Sequence, residues 1–285
     1  MSKFEKTLTQ YIEELKSEDH NTRIQAAITL GEWGNDRAVS PLIKALNHND
    51  NNFRREVARA LKEIGNRRSI EPLVNILLKD NSPEVRAEIA YCLGFFKDAQ
   101  EEIDALLEAL EDNHYLVRQN VVFALGKTKR RKAVAPLINI LKEDKNYNVR
   151  EMAAWALGEL NDKRATQQLI ISLNDSRVEV QRNAAFALGR IGDESAVESL
   201  KKQLMKDGEV KESAWALSKI LKKKQAATLL KEAFKRKKKE RIMYDCIEII
   251  RILIVVDRKI ATEFIEELLN DQEFLQYHDE LKQIT

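Results

Sequence analysis

Cysteine, proline, glycine and long apolar runs are all scarce in this chain, and each shortage excludes something. Two cysteines in 285 residues, Cys92 and Cys246, cannot form a disulfide framework and match no zinc spacing. Four prolines and nine glycines are too few for a turn-rich sheet protein. The longest apolar stretch, Ile247 to Val256, is interrupted by Glu248 and Arg251, far from the ~20 apolar residues that cross a bilayer. Met1 to Tyr11 holds no apolar run, so no secretory leader is expected. No glycine-rich phosphate loop and no nucleophile elbow occurs, and the glycines read as helix caps, Gly208 apart. What is abundant is charge: 48 Lys or Arg against 46 Asp or Glu, with 44% apolar residues. A soluble, cytoplasmic, all-helical protein is expected, with enough apolar content to bury a core.

A repeat organises the chain. The block Val149-Arg150-Glu151-Met152-Ala153-Ala154-Trp155-Ala156-Leu157-Gly158 has earlier copies at Val117 to Gly126 and Val85 to Gly94. Looser copies start at Arg23, Arg54 and Val180, and a degenerate one runs from Glu209 to Ser218. The block leucine falls at 30, 61, 93, 125, 157, 188 and 217. Asp19, Asp50, Asp80, Asp112, Asp144, Asp175 and Asp207 precede the blocks on the same beat. Pro41, Pro72 and Pro136 share one equivalent position and fit the first turn of a helix, where the missing N–H has no helical partner. Each unit therefore holds a helix opening near the proline, an Asp-containing turn, and a second helix carrying the Val-Arg block. That second helix ends near Gly34, Gly65 or Gly192, glycine being suited to the left-handed cap.

These residues carry a resemblance. The Val-Arg-x-x-Ala-Ala-x-Ala-Leu-Gly block, the turns Gly192-Asp193 and Asn161-Asp162, and the opening Ala133 to Ile138 resemble the short HEAT-like repeat of the phycobilin-lyase type. The match covers residues 15–218. It implies an α-solenoid, a superhelix of about eight helix pairs without a single globular core. Phe4 to Leu15 would be a half-repeat cap. Residues 1–218 are expected to form the regular repeats, and 219–285 degenerate repeats and a C-terminal cap continuous with them.

On a wheel of ~100° per residue, Trp155 lies about 160° from the core leucine Leu157 and points away from its own repeat's core. Equivalent positions hold Ile28, Arg59, Tyr91, Phe123, Phe186 and Trp215, with Phe95 one turn after Tyr91. In solenoids of this type the second helix lines the concave surface, so the resemblance puts this aromatic series in the groove. Met152, Glu159 and Arg190 accompany it. A contiguous apolar stripe on a soluble protein calls for a partner, and aromatics are common interface anchors. Two readings stand open: a groove that binds a protein or peptide, and rings that pack on one another as structure.

Two further patterns are charged. Arg86, Arg118 and Arg150 each follow an aspartate, Asp80, Asp112 and Asp144, by six residues across the turn. The resemblance implies a structural ladder between layers, and buried charges require partners. Gln181 breaks the arginine series in repeat six. Residues 219–241 carry eleven Lys or Arg, including Lys222, Lys223, Lys224, Lys235, Arg236, Lys237, Lys238 and Lys239, against Glu232 and Glu240. The acidic residues 242–285 offset this in the chain total. The basic segment is the candidate polyanion or nucleic-acid surface; Phe234 apart, no aromatics interleave its lysines for base stacking.

No catalytic set emerges. HEAT-related hydroxylases bind iron through His-Glu dipeptides, but His20, His48, His114 and His278 precede Asn, Asn, Tyr and Asp. No metal and no cofactor is expected, and a small-molecule ligand is not favoured, although an aromatic groove would accept a bilin. The reading is a non-catalytic scaffold for a protein or peptide partner. Nucleic-acid or polyanion binding at 219–241 is the alternative, and a bilin-lyase-like or hydroxylase-like enzyme stands third.

Overall fold

The computed structural model describes residues 7–96, 101–206 and 210–284. Phe4, where the first helix was expected to start, and Asp207, Gly208 and Glu209 ahead of repeat seven, lie outside the described residues. The described residues form eighteen α-helices joined by short 3-10 turns, and no strand. The first eight are α1 (Leu8–Glu14), α2 (His20–Trp33), α3 (Val39–Ala45), α4 (Asn51–Ile64), α5 (Ile70–Lys79), α6 (Pro83–Leu93), α7 (Glu101–Glu108) and α8 (Tyr115–Thr128). They are followed by α9 (Val134–Glu143), α10 (Tyr147–Leu160), α11 (Thr166–Ser172), α12 (Val178–Ile191), α13 (Val197–Leu204) and α14 (Val210–Ile220). The last four are α15 (Lys223–Lys239), α16 (Met243–Val256), α17 (Arg258–Leu269) and α18 (His278–Ile284). Odd and even helices from α1 to α16 make eight pairs, and α17 and α18 follow them. The architecture is an all-α solenoid.

By contacts, the chain divides into two compact units: residues 1–140 with 144–156, and residues 141–143 with 157–285. In the first, the even helices α2, α4, α6 and α8 pack in succession, each also against its odd partner. In the second, α12, α14 and α16 pack in succession in the same way, and α17 packs on α16.

Local chemistry explains the elements. Pro41, Pro72 and Pro136 sit in the first turns of α3, α5 and α9, where N–H groups lack helical acceptors. The preceding 3-10 turns start at Asn35, Asn66, Asp162 and Asp193, whose side chains accept from backbone N–H groups two residues on. Helices α2, α4 and α12 end in left-handed caps at Gly34, Gly65 and Gly192, with φ of 62°, 68° and 69°. Lys129 and Asn161 adopt the same conformation, φ 54° and 50°, at the ends of α8 and α10.

The block leucines Leu30, Leu61, Leu93, Leu125, Leu157, Leu188 and Leu217 are all fully buried. The block glycines are a correction to the sequence reading. Gly31, Gly94, Gly126, Gly158 and Gly189 are not left-handed caps; they are points of close approach between successive even helices. A Cβ on Gly126 would lie 2.8 Å from Cβ of Ala156, and one on Gly158 would lie 2.9 Å from Cα of Ala187. Alanine at the facing position and glycine here let two backbones nearly touch, which sets the spacing of the layers.

Candidate binding surface

The arginine ladder is the first feature that these layers position. Asp80, Asp112 and Asp144 each stay in the turn before an even helix. Oδ1 of Asp80, Asp112 and Asp144 accepts from the backbone N–H of Ser82, His114 and Asn146, at 2.8 Å each. The carboxylate so fixed faces the arginine of the preceding repeat, 26 residues upstream. Arg54 donates through Nε and Nη2 to both oxygens of Asp80, at 2.8 Å each. Arg86 grips Asp112 at 2.7 and 3.0 Å, and Arg118 grips Asp144 at the same distances. The aspartate six residues before each arginine contributes its backbone carbonyl: Asp80 to Arg86, Asp112 to Arg118, Asp144 to Arg150. The carboxylate pairing of Arg86 and Arg118 thus runs between layers, because a carboxylate committed to the turn's N–H points on to the previous layer. Burial would raise the Asp112 carboxyl, but the Arg86 guanidinium and the His114 N–H outweigh it and hold it below the usual carboxylate range. In repeat six Gln181 substitutes a neutral link, donating to the Asp175 carbonyl at 2.6 Å and accepting from Gln203 at 2.9 Å.

The aromatic series lies on the even helices. In the first unit Tyr91 of α6 stacks on Phe123 of α8 (centroids 5.2 Å, 18° between planes). Phe123 stacks on Trp155 of α10 (5.4 Å, 12°). Phe95 packs edge-on to Tyr91 at 5.0 Å and is 44% exposed. In the second unit Phe186 of α12 stacks on Trp215 of α14 (4.7 Å, 18°). The glycines make room for this: the Trp155 ring lies over Gly126 and the Trp215 ring over Gly189. Apart from the exposed Phe95, the rings are half-buried, neither free nor enclosed.

Cations cover them. Helix neighbours four residues apart share a face, and so Lys127 sits over Phe123 (5.8 Å), Arg190 over Phe186 (6.0 Å) and Lys219 over Trp215 (5.6 Å). Lys62 reaches from α4 over both Tyr91 and Phe95, at 5.6 and 5.1 Å. Arg59, at the ring position of α4, donates to both oxygens of Glu88 at 2.9 and 2.7 Å. Glu159 pairs with Arg190 at 3.0 Å, and Met152 is half-buried on α10. The surface therefore alternates π faces, cations and a few carboxylates.

The basic segment falls on α15 and the turn before it, and its members do not act alike. Lys237 is fully buried: its ammonium lies 3.1 Å from Asp245 of α16 and donates to the Lys206 carbonyl at 2.6 Å. Its place among polyanion-binding residues is corrected, since it contacts no solvent. Lys238 is held by Glu267 (2.8 Å) of α17 and by Asp271 (3.4 Å) just after it, and Arg236 by Glu240 (2.8 Å). Lys222, Lys223, Lys224, Lys235 and Lys239 are exposed. The buried Lys237–Asp245 pair was not legible beforehand, because nothing distinguishes one lysine in a run of lysines.

Both cysteines are buried; burial pushes the Cys92 thiol up, and the Cys246 thiol up to about 12. Among the described residues no three His, Cys, Asp or Glu side chains cluster to hold a metal. No described helix is long and apolar enough to cross a membrane.

The family model of HEAT repeats matches residues 8–94, 103–180 and 166–251. The chain belongs to the HEAT-repeat family. Among solved structures it is similar to the CpcE–CpcF complex of phycocyanin lyase from Nostoc sp. PCC7120, with 25% identity over 83% of this chain and 97% of that one, TM-score 0.51. It is also similar to YibA of E. coli (21% identity, 92% of each chain, TM-score 0.61). Yeast importin-β, Kap95, in its complex with Nup1 shares the fold at 13% identity and TM-score 0.70; the match covers 96% of this chain and 46% of that one. No curated protein matches the chain. The HEAT-repeat solenoid is a fold typical of protein-interaction scaffolds.

Proposed function

We propose that this protein is a non-catalytic scaffold that holds a protein or peptide segment against the even-helix faces of its units, Tyr91, Phe95, Phe123, Met152 and Trp155 in the first and Glu159, Phe186, Arg190 and Trp215 in the second. The observation carrying the reading is the half-buried state of the stacked rings. Stacking on neighbours and on glycine fixes each ring without covering it, so little side-chain entropy remains to be lost when a partner docks. Rigid aromatics ringed by Lys62, Lys127, Arg190 and Lys219 supply apolar anchors with a polar rim, the usual make-up of an interface.

Peptide-display selection on the immobilised protein tests it. Selected peptides should lose at least about tenfold in affinity, some 1.4 kcal/mol, when Phe123, Trp155 and Phe186 are replaced by Ala in a variant with unchanged helical circular dichroism. Peptides that bind the variant equally well would place the function elsewhere. A Lys127→Glu, Lys219→Glu variant, which keeps the rings, should shift selection toward basic peptides.

A further inference from the structure

Helix α15 carries a row of lysines for which no ion pair is seen among the described residues. Lys224, Lys231, Lys235 and Lys239 follow one another at seven, four and four residues. At ~100° and ~1.5 Å per residue they share one face and span about 22 Å. The opposite face, Ala226, Ala227, Leu230, Ala233, Phe234 and Lys237, is buried. Lys224, Lys235 and Lys239 are exposed and Lys231 is half-buried. Glu240 holds Arg236, and Glu267 and Asp271 hold Lys238, which leaves Glu232 as the one carboxylate within the helix beside four lysines. At the start of the helix, Lys222 and Lys224 line a surface cavity of about 590 Å³ with Lys201 and Glu232. Like charges at four-residue spacing destabilise an isolated helix, as do cations at its N-terminal end. The row thus costs stability and gains nothing inside the fold.

We infer that this face of α15 binds the phosphate backbone of double-stranded nucleic acid. The occupant follows from the chemistry. A protein partner fits poorly, because lysine is depleted at protein interfaces and the row offers no apolar anchor. A membrane surface fits poorly, because the apolar face that an interfacial helix would insert is buried in the fold. A single strand fits poorly, because the one aromatic among the lysines, Phe234, is fully buried against Phe264 and offers bases no face to stack on. What remains is a straight row of point charges beside a backbone carrying about one charge per 1.7 Å of duplex axis. Binding of this kind is independent of sequence.

The test is fluorescence anisotropy with labelled duplex DNA and duplex RNA of about 24 base pairs, the matching single strand, and phosphatidylserine vesicles. Neutralising four phosphates gives a log–log salt slope of about −3.6, so affinity for the duplex should fall about 150-fold from 50 to 200 mM salt. Lys224→Gln, Lys231→Gln, Lys235→Gln and Lys239→Gln together should abolish binding with the fold intact, and the four Lys→Arg changes should keep it. Binding to either duplex supports the proposal and identifies the preferred backbone. No duplex binding at 50 mM salt overturns it, as does tighter binding to the single strand, vesicle binding in place of duplex binding, or duplex binding unchanged by the Gln variant. The Phe123, Trp155 and Phe186 alanine variant should bind duplex normally, so this proposal and the scaffold reading fail separately.

Discussion

At the scale of single residues, the Asp–Arg ladder turns a repeated turn into a link between layers. Asp112 takes the His114 N–H and the Arg86 guanidinium together, and a partly buried, bidentate pair is the strong form of such contacts. Asp112→Asn should cost about 2 kcal/mol in urea unfolding, the worth of hydrogen bonds to charged groups. The pH dependence has a definite sign. The folded-state carboxyl sits below the ordinary range, so the unfolded chain takes up protons first as pH falls. The stabilisation is complete above about pH 5 and is lost as pH falls through about 4 and below. The gap between wild type and Asp112→Asn should therefore narrow progressively as pH falls below about 4. Lys237 and Lys235 give a second contrast two residues apart. Lys237→Ala strands the buried Asp245 and should cost about 3–5 kcal/mol, whereas the exposed Lys235→Ala should stay within about 0.5. That difference could not be read from the sequence. Burial of one lysine in a run is decided by which face α15 turns to α16, and a chain of near-identical charges carries no mark of it.

At the scale of the element, the even helix was legible in outline and misread in one detail. The block's period, the turn aspartates, and Gly34, Gly65 and Gly192 located the helices and their ends, because caps and heptad-like apolar spacing are local chemistry. The recurrent block glycine was taken for a cap, since glycine near a helix end suggests one; its cause is the neighbouring helix, which local sequence does not contain. Gly126→Ala would press a methyl group to 2.8 Å from Cβ of Ala156 and 3.0 Å from the Trp155 ring. Overpacking of that kind should cost about 1–3 kcal/mol, read as a lowered thermal midpoint with a shifted tryptophan emission. The converse change applies at the end of the same helix. Lys129 holds φ 54° where glycine is at ease, so Lys129→Gly should add about 0.5–1 kcal/mol.

At the scale of the whole chain, helix pairs repeat one layer contact within each compact unit, and the aromatic surface of each unit belongs to no single repeat. The helical wheel gave the direction of the rings from their own helix. It was silent on whether they stand open or stack, because the answer depends on the aromatic about 32 residues away and on the glycine beneath it. Stacking in Tyr91–Phe123–Trp155 and in Phe186–Trp215 makes these rings structural, and their remaining exposure leaves them able to anchor a partner. The most direct measurement is affinity capture from lysate of the cells that make the protein, with wild type beside the Phe123, Trp155 and Phe186 alanine variant, each with and without nuclease. The scaffold account predicts protein partners that are lost with the variant and unaffected by nuclease. The same partners captured equally by both baits would contradict it and leave the ring stacks as structure alone.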